Sequence, residues 1–444
     1  MRIVKKLGCS LKNNKVSFVS LGCSKNQVDL EYLMGATVSS GYEITNVPED
    51  SDYIVVNTCG FIEPAVNEAI DNILEMHERR KEGAKLIVTG CMTKRYMESI
   101  KDDLPEIDFY TGVGDLDRVI TYLKGDNQLT VDYGDSRILA NENYYAYLKV
   151  SEGCNNRCSY CAIPGIRGNL VSIPMENVLK EARQLVSEGV RELIVISQDN
   201  TKYGTDIYGE PKITELLKEL EAIEGDFRIR VMYLNPDGVT LELIETICGS
   251  DKILSYFDIP VQHYSDKMLK AMKRKSSGEI IDRVFDSIRE ADPESFLRTT
   301  MIVGFPGEEE EDFAKLEEFL VRHKPDFAGF FPYSREDGTS AYGLGDGVGK
   351  RETNRRIKAL QKEQKRNTNN RLKMLKKNDI ICFVEGVSEE SELILQGRAD
   401  FQAPEIDGRA FFIDGIATDG YGPYICRIKR VIYPDIYCEI INNA

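Results

Sequence analysis

Three short apolar runs, Val16 to Cys23, Asp52 to Cys59 and Lys85 to Cys91, are each β-rich, of strand length and closed by a cysteine. Each is followed by a stretch that reads as helix, such as Val28 to Leu33 and Glu63 to His77. That alternation implies an α/β fold with a parallel, doubly wound sheet. Ligands of such sheets bind outside the carboxyl ends of the strands. All three runs deliver a cysteine to that edge, so position alone places Cys23, Cys59 and Cys91 together in space. The competing reading is three inert core cysteines, since free cysteine is among the most buried residue types.

The middle third repeats a strand–helix pattern six times. Its strands are expected at Tyr145–Val150, Glu192–Ser197, Arg228–Leu234, Tyr256–Val261, Arg298–Val303 and Gly329–Tyr333. The spacing of roughly 25–45 residues fits βα units. Six units are fewer than a closed barrel's eight, so a partial barrel open to a large substrate is expected, with chemistry at the carboxyl ends of its strands.

From Lys350 to Lys377 there are twelve Lys or Arg against two Glu, a local net of +10, which reads as a solvated basic helix or linker. Asn378 to Ala444 carries twelve acidic and five basic residues, a net of −7. Its short apolar runs and Asp-Gly turn signals predict a small all-β barrel of the oligonucleotide-fold kind. By pattern, residues 1–140 form the N-terminal sheet domain, 141–349 the partial barrel, 350–377 a basic helical linker and 378–444 the small barrel. A length of 444 residues accommodates this, at roughly 100–200 residues per domain. The overall net charge of −16 argues against nucleic-acid binding through the whole surface. No apolar run reaches the roughly 18–20 residues of a membrane span, and Met1 to Ser10 holds no apolar stretch of signal-peptide length. A cytoplasmic location is expected. In that compartment eleven cysteines and three histidines read as metal or catalytic chemistry, not as a disulfide framework.

The sharpest signal is Cys154, Cys158 and Cys161, a C-x3-C-x2-C loop after the first barrel strand. Three thiolates so spaced can wrap one face of an iron–sulfur cube and leave the fourth iron open. Zinc is the rival, but structural zinc wants four closed ligands, usually in paired C-x2-C units, and no such pairing or nearby His completes one. This loop, in this place, resembles the signature of the radical S-adenosylmethionine (SAM) superfamily. The resemblance implies that SAM chelates the open iron and yields a 5′-deoxyadenosyl radical. It also implies that Tyr160 lies against the adenine, that Gln198 within Ser197–Asp199 holds the SAM amino group, and that Gly304 backs the adenine. Gln262, at the fourth strand end, is a further candidate contact. Leu21 to Asp29, Asn57 to Ile62 and Val88 to Met92 are similar to the N-terminal domain of the methylthiotransferases. There the equivalents of Cys23, Cys59 and Cys91 hold a second 4Fe–4S cluster that carries the sulfur, and the acidic C-terminal barrel matches the family's TRAM domain.

Two branches of that family compete. One modifies a tRNA base beside the anticodon; the other modifies an aspartate of ribosomal small-subunit protein S twelve at its β-carbon. Ser20 to Asn26 and Gly397 to Gly408 resemble the ribosomal branch, and a recognition barrel at −7 repels phosphates and attracts a basic protein. The +10 segment is the counter-evidence. The resemblance implies two SAM molecules per turnover, an external electron donor and a sulfur donor. An iron–sulfur electron carrier is the non-enzymatic alternative. Within the acidic tail, Glu405 and Asp407 are expected in an exposed loop as contacts for Lys or Arg. Cys9, Cys248, Cys382, Cys426 and Cys438 match no ligand position and read as packing residues. His263, on the barrel rim, is placed to handle protons, but reads first as a structural histidine.

Overall fold

Val55 and Ile87 pack to one side of a parallel sheet, while Ile54, Val56, Leu86 and Val88 pack to the other, so both faces of its central strands are buried. The sheet belongs to a computed structural model that describes residues 14–125, 137–141, 144–389, 391–418 and 420–443. Cys9, Asp419 and Glu390 lie outside those residues. The chain forms two compact units, 1–141 with 162–168, and 142–161 with 169–444.

The first unit runs β1 (Lys15–Ser20), α1 (Ser24–Ser39), β2 (Glu43–Ile44), β3 (Tyr53–Thr58), α2 (Glu63–Arg79), β4 (Lys85–Gly90), α3 (Cys91–Asp103), β5 (Phe109–Tyr110) and α4 (Leu116–Lys124). The sheet order is β2-β1-β3-β4-β5, parallel throughout. Leu30, Leu33 and Ala36 of α1 and Val119, Ile120 and Leu123 of α4 cover one face. Ala69, Ile73 and Met76 of α2 and Met92 and Ile100 of α3 cover the other. The doubly wound expectation holds. Because the chain steps from β1 to opposite sides, the β1–β3 edge is the switch point where such sheets bind ligands. The short α5 (Ile163–Ile166) also belongs here, its Ile166 and the preceding Ala162 packed against Cys91.

The second unit opens with β6 (Tyr145–Lys149) and β7 (Ser151–Glu152), which pairs with β8 (Val171–Ser172). It continues through α6 (Met175–Ser187), β9 (Glu192–Ile196), α7 (Ile213–Glu221), β10 (Arg228–Val231), α8 (Leu241–Cys248) and β11 (Tyr256–Asp258). Next come α9 (Asp266–Ala271), α10 (Gly278–Ala291), β12 (Phe296–Val303), α11 (Glu310–His323) and β13 (Phe327–Pro332). The six barrel strands stand where the sequence places them, as two parallel three-stranded sheets, β6-β9-β10 and β11-β12-β13. A parallel bridge from Ile229 to Ile253 joins the two.

α12 (Lys350–Leu375) is the helix expected from the basic segment, but it is not solvated all round. Leu360 and Leu372 are fully buried. Between them Gln364 donates to Pro325 O at 2.9 Å, Asn367 to Leu320 O at 2.9 Å and Thr368 to Asp326 O at 2.7 Å. Arg356 is buried against Glu308 at 2.6 Å, and Arg371 pairs with Glu294 and Asp326. One face thus completes the barrel wall.

β14 (Asp379–Ser388), β15 (Ser391–Ala399), β16 (Ala410–Asp414), β17 (Tyr424–Ile432) and β18 (Asp435–Asn443) close the expected small barrel in the order β14-β15-β16-β18-β17. It docks where the six parallel strands begin. Glu192, first residue of β9, binds Arg230 at 2.6 Å and Arg398 of β15 at 2.7 Å, and Arg398 also binds Glu385 at 2.5 Å. The expectation for Asp407 is wrong. It is 1% exposed, accepting from Arg298 Nε at 3.2 Å, Tyr256 Oη at 2.5 Å and the Ala403 amide at 3.0 Å. Its loop folds inward because two barrel residues need a partner there. Glu405 remains exposed. Among the described residues no helix is long and apolar enough to cross a membrane.

Candidate metal centres

Cys23 caps the start of α1, Cys59 follows β3, and Cys91 is the first residue of α3 directly after β4. Three neighbouring strands therefore bring the cysteines to one carboxyl edge. Two of the thiols sit at helix N-termini, where the helix dipole favours a thiolate. The loops nest closely. Gly22, at φ +97°, lies so near Cys59 that a Cβ there would be 2.9 Å from the Cys59 Cβ, and one on Gly60 would be 2.5 Å from the Met92 Cα. Burial pushes the Cys91 thiol up to about 12 and raises that of Cys59, and the neighbouring Cys23 adds to both shifts. Cys23 is exposed, so the site opens to solvent on that side.

Asn26, which sequence reasoning passed over, organises this edge. Its side chain donates to Leu21 O and Thr58 O, each at 3.0 Å, and its Oδ1 lies 3.4 Å from Cys91 Sγ. Arg167, also passed over, donates to the same Oδ1.

In the second unit, Cys154, Cys158 and Cys161 occupy the loop beyond β7, all partly buried. The loop is pinned at several points. Ser159 donates from its amide to Met272 O and from its hydroxyl to Ala271 O, both at 2.9 Å. Its own carbonyl accepts from the Ala341 amide at 2.7 Å. Asn156 donates to Asp199 at 2.6 Å, and Arg157 takes a left-handed conformation, φ 57°. Arg274, at the end of α9, has its guanidinium among Asn235 Oδ1 at 2.8 Å, Pro260 O at 2.9 Å and Cys158. Nothing in its local sequence points to the site.

Gln198 stands beside the loop, its Nε2 donating to Glu152 at 2.8 Å while its buried Oε1 accepts from no protein group. Its neighbour Asp199 is committed to the frame, accepting from Asn156, Thr201 and Asn235. Tyr160 packs against Met268, Met272, Phe305 and Ala341. Gln262 sits at the β11 end with φ 68°. Gly304, φ +83°, is glycine because a Cβ there would meet Thr353 Oγ1 at 2.5 Å. His263 is fully buried, its Nδ1 accepting the amides of Tyr264 at 2.9 Å and Ser265 at 3.0 Å, a structural arrangement. Cys382, Cys426 and Cys438 are buried side by side within the small barrel, and Cys248 lies near Ser255 and Ser295.

Among the described residues no three ligating side chains converge tightly enough to hold a single metal ion. Thiolates that bind separate irons of a cube stand farther apart than ligands sharing one ion. Each set offers three thiols, one short of the four closed ligands that structural zinc takes and the number that leaves one iron of a cube open.

Residues 15–112 match the model of an uncharacterized protein family, UPF0004, and residues 148–320 that of the radical SAM superfamily. The ribosomal protein uS12 methylthiotransferase RimO of Geobacter sulfurreducens is 44% identical over 420 residues, 91% of this chain and 94% of its own. That of Aquifex aeolicus is 43% identical over 394 residues, 89% of this chain and 90% of its own. That of Acetivibrio thermocellus is 41% identical over 450 residues, 97% and 99%. Among solved structures, the radical SAM methyltransferase TsrM of Kitasatospora setae, with cobalamin and a 4Fe–4S cluster bound, aligns at a TM-score of 0.57. It is 15% identical, over 74% of this chain and 77% of its own, a likeness of fold alone. The extent and identity of the matches, over a chain with both cysteine sets at strand ends, lead to one conclusion: the chain belongs to the RimO family of ribosomal protein uS12 methylthiotransferases, within the radical SAM superfamily.

Proposed function

We propose that this chain inserts a methylthio group at the β-carbon of an aspartate in ribosomal protein uS12, using two 4Fe–4S clusters and SAM. The observation that carries the reading is two separate sets of three cysteines, one brought together by the ends of three neighbouring strands and the other held in a single pinned loop. Cys154, Cys158 and Cys161 would hold the cluster that binds SAM, and Cys23, Cys59 and Cys91 the one that carries sulfur. When bound, the SAM-binding cluster supplies the radical that no side-chain base can replace, because the β-carbon hydrogen is not acidic enough to remove.

The remaining work falls to the protein's own groups. Asp199, Asn156 and Ser159 fix the cysteine loop. The orphaned Oε1 of Gln198 is an acceptor suited to the SAM amino group. Tyr160, Gln262 and Gly304 are the further candidate SAM contacts. Arg274 keeps a positive charge beside Cys158, burial being outweighed by neighbouring Tyr160 and Cys158. The acidic small barrel suits a basic protein substrate, and Arg355, Arg356 and Arg371 of α12 are already paired with carboxylates, which weakens the case for RNA. An external reductant and a sulfur source complete the scheme, in the cytoplasm where ribosomes are assembled.

The test is to incubate the reduced, reconstituted enzyme with SAM and either uS12 or tRNA, then to mass-analyse both. Modification of uS12 alone is expected. Modification of tRNA alone would assign the chain to the other branch, and SAM cleavage with neither product would leave the substrate reading without support.

A further inference from the structure

Arg167 lies six residues after Cys161 in the chain, yet it belongs to the first unit. Its side chain is 1% exposed. Nη1 donates to Asp29 Oδ2 at 3.2 Å and Nη2 to Asn26 Oδ1, the oxygen that also faces Cys91 Sγ. The guanidinium is within hydrogen-bonding reach of Cys91, and its charge acts on Cys59. Taking a guanidinium out of water costs several kcal/mol unless the charges around it compensate. Asp29 supplies one carboxylate, and the three cysteines supply further negative charge once they are ligands. The planar fork also fits the place, because it reaches Asn26, Asp29 and Cys91 at once, as a lysine ammonium cannot.

We propose that Arg167 is a positioning residue for the cluster of Cys23, Cys59 and Cys91: Asn26 and Asp29 hold its guanidinium so that it donates toward the Cys91 sulfur, and its charge makes that cluster easier to reduce. This rests on the two-cluster reading above. The physical basis is that net charge and hydrogen bonds to the sulfurs set the potentials of iron–sulfur centres. A buried cation donating toward a ligating sulfur stabilises the more negative, reduced state.

The full-length chain with Cys154, Cys158 and Cys161 all changed to Ala isolates the N-terminal cluster. In that background the iron content and the mediator-equilibrated reduction potential are measured with Arg167 intact, with Arg167→Gln and with Arg167→Lys. The expected result is retained iron and a shift to more negative potential in Arg167→Gln. It should reach about tenfold in the reduction equilibrium, roughly 59 mV for one electron, with Arg167→Lys between the two. Equal potentials in all three overturn the proposal and leave Arg167 a structural pin for residues 162–168. If Arg167→Gln assembles no cluster, Arg167→Lys decides, since it keeps the charge but loses the fork: a negative shift supports the proposal and an unchanged potential overturns it. Absence of iron with Arg167 intact is a different failure, that of the second-cluster reading itself.

Discussion

Replacing Asp407 by Ala would leave Arg298 with Asp258 as its remaining carboxylate partner and would strip Tyr256 of its acceptor. Removing one member of a buried pair costs about 3 kcal/mol or more, so Asp407→Ala should lower the denaturation midpoint strongly while leaving uS12 affinity of the folded fraction unchanged. Chemical-denaturation curves and a binding titration on the same sample check both parts. Glu192 offers a test by pH. Burial disfavours its charged form, but Arg230 and Arg398 outweigh burial and hold its carboxyl below the ordinary 4.5. The folded value is thus lower than the unfolded one, so the unfolded chain takes up the proton first. Stability from this group is full above the ordinary value and is lost as pH falls through the folded one. Glu192→Gln should therefore differ from the parent most near neutrality, and the gap should narrow in melts below about pH 4.5. Cys23, Cys59 and Cys91 were legible because cysteines ending neighbouring parallel strands share an edge by topology, and Cys154, Cys158 and Cys161 because their spacing within one loop is itself a ligand pattern. Asn26, Arg167 and Arg274 were not, since each reaches its site by folding from elsewhere and carries no local motif. Asp407 was misread because a Pro404–Gly408 turn signal says nothing of whether a loop folds inward.

α12 shows why composition misled at the scale of the element. Its buried face is lined by Thr353, Arg356, Gln364, Asn367 and Thr368 as well as Leu360 and Leu372, so hydropathy reads it as solvated. Gln364, Asn367 and Thr368 donate to carbonyls of α11 and of the loop before β13, and Arg356 to the Glu308 carboxylate, partners that only the fold supplies. Leu360→Ala should cost about 2–5 kcal/mol, as for other large-to-small core changes. Gly304→Ala should cost about 2 kcal/mol, from the positive φ and the approach to Thr353. Equilibrium unfolding of both variants measures these losses; a solvated helix would show no loss for Leu360→Ala and only the backbone part of the loss for Gly304→Ala. β1, β3 and β4 and the six barrel strands, by contrast, were read from sequence, most of them as apolar runs, whereas β2 and β5, two residues each, were too short to read.

For the whole molecule, opposite charges are set apart along the chain, and part of the separation is neutralised internally. The small barrel keeps exposed carboxylates at Glu389, Glu392 and Glu405. Single exposed pairs contribute only roughly 0.2–1 kcal/mol. Changing all three to Lys should slow association with uS12 and flatten its salt dependence, as read by stopped-flow mixing at two ionic strengths. An unchanged association rate at low salt would remove the barrel as an electrostatic dock. The central claim, that two cysteine sets divide the chemistry, is tested most directly by quantifying 5′-deoxyadenosine and methylthiolated uS12 in the same reaction for Cys59→Ala and Cys158→Ala. The account predicts that Cys158→Ala makes neither product, whereas Cys59→Ala still forms 5′-deoxyadenosine but transfers no sulfur. Equal loss of 5′-deoxyadenosine in both variants, with the other cluster of each intact by iron analysis, would contradict it.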